Sequence, residues 1–312
     1  AMNMISPKLD KNVALIVGPT ASGKSALALE LAKKQASVII NADSAQVYRD
    51  LRILSARPSE EEMGGIEHQL FGYIDGDEAC SAARWAHDAK TAIAAAHERD
   101  ILPILVGGTG LYVRILLDGI APIPEIAPEI RQEIREMELL EAYHALQMLD
   151  PVSADRLNPS DITRIQRALE VIRSTGKPLD HWQKHKTGGI GENIKLHSLV
   201  LLPPREWLYQ RCDLRLHQMM AEGAADEVEN LLQRDLPPNL PVMRAIGVAD
   251  IAAWIAGDIS REAAVEQAQT ATRQYAKRQY TWFRNQSPSE WPRLEEPLNN
   301  DFDEIIETIL RD

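Results

Sequence analysis

The chain has 312 residues, 45% of them hydrophobic, enough to bury a full core in one large domain or two smaller ones. Its net charge of −12 excludes a protein that coats nucleic acid through a global positive field. There is no apolar run of about 18 residues and no leader-peptide pattern at the start, and the only cysteines are Cys80 and Cys212, so a cytoplasmic protein with reduced thiols and no membrane partner is expected.

Residues 12–18 form the first apolar run, predicted as a buried strand, and lead into Gly18-Pro19-Thr20-Ala21-Ser22-Gly23-Lys24-Ser25. This octet meets G-x-x-x-x-G-K-[ST] at every fixed position, a match that average residue usage produces by chance in about one chain in a hundred of this length. In such a phosphate loop the glycines curl the backbone so that its amides face inward and the lysine adds a point charge. The following helix directs its positive end at the same anion. Leu27 and Leu31, four apart among good helix formers, predict that helix over residues 26–34. The expected ligand is a polyphosphate.

The second apolar run, residues 38–43, ends in Asp43. Residues 70–75 suggest a weaker strand, and residues 102–107 and 196–202 supply two more. Helical stretches separate them. Alternation of this kind after a phosphate loop predicts an α/β fold, a P-loop NTPase-like parallel sheet core flanked by helices, with ligands at the carboxyl edge of the sheet. Asp43 emerges on that edge, either as a general base or as the cap of a helix beginning near Ser44. The strand at 101–106 ends in Gly107-Gly108-Thr109-Gly110 rather than in the acid that helps hold magnesium in hydrolysing NTPases.

After Gly119 the pattern changes. Pro122, Pro124 and Pro128 precede a predicted helix over residues 129–149, and a second helix capped by Ser160 or Asp161 carries Ile162, Ile165, Leu169 and Ile172 before Gly176 and Pro178 end it. With no convincing strand there, residues 120–190 are expected to be a helical insertion between core segments 1–119 and 191–312, with Gly188, Gly189 and Gly191 in the return linker. His181 and His185 stand four apart without a third metal ligand nearby and are expected to be solvated. Helices are expected over residues 206–232, 245–256 and 261–284. On the last, Arg273, Lys277 and Arg284 fall within about 40° of one another, with Tyr275 and Trp282 turned the other way; this is either an amphipathic helix with its aromatics in the core and a solvated basic side, or one whose basic side faces phosphate. Charge is uneven along the chain: residues 163–186 hold six basic and two acidic side chains, residues 124–162 three basic and nine acidic.

Several blocks, taken in order, resemble the tRNA dimethylallyltransferases, also called tRNA isopentenyltransferases, over nearly the whole length. They are the phosphate loop, Asp43-Ser44-Ala45-Gln46-Val47-Tyr48, Val106-Gly107-Gly108-Thr109-Gly110-Leu111-Tyr112, Arg167-Ala168-Leu169-Glu170-Val171 with Thr175-Gly176-Lys177-Pro178, and Thr272-Arg273-Gln274-Tyr275-Ala276-Lys277-Arg278-Gln279 followed by Thr281-Trp282-Phe283-Arg284. The resemblance implies transfer of a dimethylallyl group from its diphosphate to the exocyclic amine of the adenine 3′ to a tRNA anticodon. The phosphate loop, residues 18–25, then holds the leaving diphosphate together with Arg215, and Mg2+ sits on the Ser25 hydroxyl.

The resemblance further implies Asp43 as the base, with hydroxyls of Thr20 and Thr109 at the reacting centre, although Thr109 is equally suited to capping a helix at Gly110. It implies tRNA contacts at Asp43, Ser44, Ala45, Gln46, Thr109, Arg131, Thr163, Arg164, Ile165, Gln166, Arg167, Arg244 and Gly247, with the insertion as clamp for the anticodon stem-loop of a tRNA bound by a monomer. The sequence departs from the family at Val248-Ala249, at Leu54-Ser55-Ala56-Arg57-Pro58, at His68-Gln69-Leu70-Phe71-Gly72 and at Ala45, which puts details of RNA contact in doubt more than the reaction. An adenylate isopentenyltransferase shares the fold and donor but needs no clamp. A P-loop small-molecule kinase or ATP-driven switch lacks support from an acid after residues 101–106 and from an Asn-Lys-x-Asp guanine reader, and a binding-only RNA module would lack activity altogether.

Overall fold

The structure, a computed structural model, describes residues 6–299 and 301–311; the first five positions, on which the leader-peptide expectation partly rests, lie outside them. The strands are β1 (Asn12–Val17), β2 (Ser37–Asn41), β3 (His68–Gln69), β4 (Leu102–Gly107), β5 (Gly119–Ile120), β6 (Thr187–Gly188), β7 (Lys195–Leu201) and β8 (Arg293–Leu294). Six of them form one sheet in the order β3-β2-β4-β1-β7-β8, with every neighbouring pair parallel. Among the described residues no helix is long and apolar enough to cross a membrane.

Both faces of this sheet are covered, which is why its central strands read as unbroken apolar runs. Along β1 the side chains alternate. Val13, Leu15 and Val17 pack with Trp85, Ala89 and Tyr112, whereas Ala14 and Ile16 pack with Leu27 and Leu31 of the helix after the phosphate loop and with Ile306 and Ile309 near the chain end. Trp85 stacks on Tyr112 at 4.7 Å between ring centroids, and its indole N–H donates to the Asn41 carbonyl at 2.7 Å, fixing the end of β2. In register, Val17 lies opposite Gly107 and Asn41 opposite Val106, so the segments following β1, β2 and β4 leave the sheet side by side.

The chain divides into two compact units, Ala1–Leu117 with Ile190–Asp312, and Asp118–Gly189. The second has its own small core, including Ile134, Leu146, Ile165 and Leu169. Its helix Ile162–Thr175 is capped by Asp161, whose carboxylate accepts the Arg164 N–H, and ends on Gly176 in the left-handed conformation (φ 74°).

Several boundaries differ from the sequence expectation. Residues 70–75 are not a strand: the sheet takes His68–Gln69 instead, because Leu70 and Gly72 adopt positive φ, and Ile74 makes only an isolated bridge to Tyr48. The helix expected over 129–149 is two, Pro128–Arg135 and Leu139–Leu149. The one expected over 206–232 breaks at Gly223 (φ 112°) into Arg205–Glu222 and Ala224–Gln233, and the one expected over 245–256 is confined to Val248–Ile255. The insertion does contain strand: β5 and β6 pair antiparallel, Gly119 with Gly188 and Ile120 with Thr187. The long helix runs Arg261–Gln286.

Candidate active site

A cavity of about 850 Å³ opens at the carboxyl edge of the sheet, walled by the phosphate loop, by the segments after β2 and β4, and by helices from the carboxyl-terminal half. That is the size of a small-molecule site. Thr20, Ala21, Gly23, Lys24 and Ser25 face it from the loop, Asp43, Ser44, Ala45 and Gln46 from the turn after β2, and Thr109, Arg215, Arg244 and Tyr275 from the remaining walls.

The loop takes its shape from contacts behind it. A side chain at Gly18 would lie 2.6 Å from the Leu201 carbonyl oxygen, so β7 approaches the loop too closely for any other residue. Ser22, within the loop, is buried, and its hydroxyl has no hydrogen-bond partner among the described residues. Lys24 donates to the Pro19 carbonyl at 2.8 Å. Burial pushes its ammonium down to about 8; the Asp43 carboxylate opposes this and Arg215 adds to it. Arg215 Nη1 donates to the Thr20 hydroxyl at 3.4 Å, and Arg211 Nε donates to the Ala21 carbonyl at 3.1 Å.

Asp43 is held by its own strand end. The fully buried Asn41 accepts the Asp43 N–H at 2.9 Å and donates to the Asp43 carbonyl at 3.0 Å and to the Leu70 carbonyl at 3.0 Å. No helix starts at Ser44: residues 44–47 form a turn, and Asp43 Oδ1 accepts the Ala45 N–H at 2.8 Å, so the alternative of a helix cap becomes a turn cap. Burial raises the Asp43 carboxyl above the ordinary range, against the pull of Lys24 and of the Ala45 and Gln46 amides.

Thr109 reaches across to the same turn. Its hydroxyl oxygen accepts the Ser44 N–H at 2.8 Å and donates to Ser44 Oγ at 3.1 Å. The Gly107-Gly108 pair before it is explained by crowding, since a Cβ at Gly107 would lie 2.2 Å from the Ala42 carbonyl and one at Gly108 2.4 Å from Gln279 Nε2. An acidic side chain has no room at either position.

Of the residues singled out from the sequence, Arg131, Thr163, Arg164, Ile165, Gln166 and Arg167 belong to the second unit. Arg131, Thr163 and Arg164 are exposed, while Arg167 pairs at 3.6 Å with the buried carboxylate of Glu170. Ile165 is the correction: it is fully buried in the insertion's core, so its side chain is not available to RNA. Gly247 is also buried, at the amino end of Val248–Ile255, against Leu54. Arg273 does not extend freely from its helix but pairs with Asp213 at 2.5 Å. The His181 and His185 rings lie 4.5 Å apart at an interplanar angle of 37°, and among the described residues no cluster of three or more metal-ligating side chains exists.

Two residues have places in the site that the sequence did not suggest. Tyr275, expected in the core, instead lines the cavity; burial and the Asp43 charge push its phenol up, while the neighbouring Thr109 and Ser44 side chains draw it down. Gln279 is buried between loops, its Oε1 accepting the Thr20 N–H at 2.8 Å and its Nε2 donating to the Gly108 carbonyl at 2.8 Å. The available signal was a lone amide on the apolar stripe Ala264, Val265, Ala268, Ala276 and Phe283.

The family model "IPP transferase" matches residues 46–286. A tRNA dimethylallyltransferase of Erythrobacter litoralis is 60% identical over 288 residues, covering 91% of each chain, and one of Novosphingobium aromaticivorans is 62% identical over 261 residues, covering 84% of this chain and 93% of the relative. Among solved structures, the full-length tRNA isopentenylpyrophosphate transferase of Bacillus halodurans superposes with a TM-score of 0.71 at 32% identity, covering 96% of this chain and 95% of that one. A eukaryotic dimethylallyltransferase acting on tRNA superposes with a TM-score of 0.74 at 30% identity, covering 87% and 69%.

Proposed function

The chain belongs to the IPP transferase family, and from that premise we propose that it transfers a dimethylallyl group from dimethylallyl diphosphate to the exocyclic N6 amine of the adenine 3′ to the anticodon in tRNA. The observation that carries this reading is the convergence of Lys24, Asp43 and Thr109 on one cavity from three adjacent strands. The carbon–oxygen bond of the donor breaks as the nitrogen–carbon bond forms; diphosphate leaves, and the amine proton passes to the Asp43 carboxylate. A carboxylate whose burial raises its proton affinity is a stronger base than a solvated one.

Charge on the departing diphosphate is met by the loop amides, Lys24 and Arg215 in a site partly shielded from water. Thr20 and Thr109 offer hydroxyls to the oxygens and amine on either side of the reacting carbon. The Ser25 hydroxyl on the cavity wall would hold Mg2+ bound with the diphosphate, an ion suited to oxygen donors, and among the described residues no acidic cluster offers a separate site. Such an ion would supply further neutralisation of the leaving group.

An adenine stacked in an anticodon loop is inaccessible, so the base is drawn out of the stack into the cavity, where Ser44, Ala45, Gln46 and Arg244 are suited to receive it. Arg131, Thr163, Arg164, Gln166 and Arg167 supply contacts to the stem-loop from the insertion, which fits the role of a clamp. The protein acts as a monomer on cytoplasmic tRNA, one chain supplying each named wall of the cavity.

Labelled dimethylallyl diphosphate incubated with tRNA and, separately, with AMP tests the reading. Label entering tRNA at the adenine after the anticodon is the expected result. Label entering AMP alone would replace it with an adenylate prenyltransferase.

A further inference from the structure

We propose that Gln279 is a positioning residue for this transfer, tying the loop that holds the leaving group to the segment that carries Thr109; the inference rests on the transferase reading. Gln279 is almost wholly buried, and each end of its carboxamide is committed. The oxygen accepts the Thr20 N–H of the phosphate loop, and the nitrogen donates to the Gly108 carbonyl next to Thr109, both at 2.8 Å. The two partners leave the sheet from neighbouring strands, β1 and β4, whose ends are in register at Val17 and Gly107.

Neither bond serves the hydrophobic core. Thr20 also receives Arg215 Nη1 at 3.4 Å, and Thr109 holds the Ser44 N–H at 2.8 Å beside Asp43. One side chain therefore stands between the group that takes the diphosphate and the turn that presents the base. The junction is tight: an added carbon at Gly108 would lie 2.4 Å from Gln279 Nε2 and 3.1 Å from the Gly18 carbonyl oxygen.

A carboxamide offers an acceptor and a donor at this separation and stays uncharged at every working pH. Without it, two backbone groups lose their partners and the loops lose their common reference. Misplacement of reacting groups by about 1 Å costs on the order of 100-fold in rate. Tyr275, one turn earlier on the same helix, lines the cavity, so the helix that carries the tie also forms part of the wall.

The test compares full-length wild type, Gln279→Met and Gln279→Glu in transfer from dimethylallyl diphosphate to a tRNA transcript, with tRNA affinity and thermal midpoint measured alongside. Gln279→Met keeps the volume and is expected to raise donor KM and lower kcat by about 10- to 100-fold, with tRNA affinity unchanged. In Gln279→Glu a neutral carboxyl accepts from Thr20 and donates to Gly108, whereas a carboxylate repels the Gly108 carbonyl; its deficit relative to wild type is expected to shrink as pH falls from 8 to 6. Variants within twofold of wild type, a deficit in Gln279→Glu that ignores pH, or losses that track tRNA affinity and thermal midpoint together would overturn the role. If Gln279→Met does not fold, the pH profile of Gln279→Glu decides alone. No transfer by wild type would remove the transferase reading itself, and this role with it.

Discussion

Lys24 and Asp43 share one cavity, and burial moves them toward each other in proton affinity: the ammonium falls to about 8 while the carboxyl rises above its ordinary range. The working forms are the charged ones. Asp43 is the base only when deprotonated, so activity is gained as pH rises through its raised pKa, and Lys24 holds diphosphate best when protonated, so donor binding is lost above about pH 8. Titration calorimetry with inorganic diphosphate is expected to show affinity falling across that range. In Asp43→Asn the anion that supports the Lys24 proton is gone, so the fall should begin at lower pH. The same substitution should cut turnover by about 100-fold or more while tRNA affinity stays within a few-fold, as expected for a lost general base.

Lys24→Ala and Arg215→Ala separate donor binding from RNA binding. Each removes a cation from the diphosphate side of the cavity, and a hydrogen bond to a charged group contributes roughly 1.5–3 kcal/mol, equivalent to about 10- to 100-fold in donor KM. Nitrocellulose filter binding of tRNA should be nearly unchanged for both. Equal loss of both ligands would mean misfolding instead.

In the insertion, neighbouring residues divide into two kinds. Ile165→Ala opens a hole in a small core and should cost about 2–5 kcal/mol of that unit's stability, measured by denaturant unfolding. Arg164→Ala should leave stability almost intact, weaken tRNA binding and reduce the slope of log affinity against log salt by about 0.7–1. A salt slope unaffected by the loss of Arg164 would place the RNA elsewhere.

Glu227 anchors the cavity wall from a distance. Its two carboxylate oxygens accept three consecutive backbone N–H groups, Arg52 and Ile53 on Oε2 at 3.0 and 2.9 Å and Leu54 on Oε1 at 3.0 Å. Glu227→Ala strands those amides next to Leu54 and Ser55, which line the cavity. The expected cost is about 2 kcal/mol, read as a lower denaturant midpoint with an unchanged slope, together with a raised KM for tRNA.

The chemistry-bearing loop, Asp43, Thr109 and four of the strands were legible because each is local: a motif at fixed spacing, or a strand buried on both faces. What escaped depends on distant contacts. Glu136, Met137 and Glu138 are ordinary helix formers, and nothing local separates Pro128–Arg135 from Leu139–Leu149; Met137 packs into the insertion's core at the break. Gly223 did advertise its break, through the left-handed backbone that glycine alone adopts readily. Gln279 looked like one more polar residue on an amphipathic helix, since its partners lie 259 and 171 residues away. Tyr275 was assigned to the core because periodicity tells which face is turned inward but not whether that face meets a wall or a void.

The pairing of Gly119 with Gly188 brings the first and last residues of the insertion together as a two-strand ribbon. Some seventy residues thus enter and leave through a single doorway. Replacing everything beyond that ribbon with a short turn is expected to leave each strand of the main sheet with its neighbours and every lining residue of the cavity in place, since none of them lies in Asp118–Gly189.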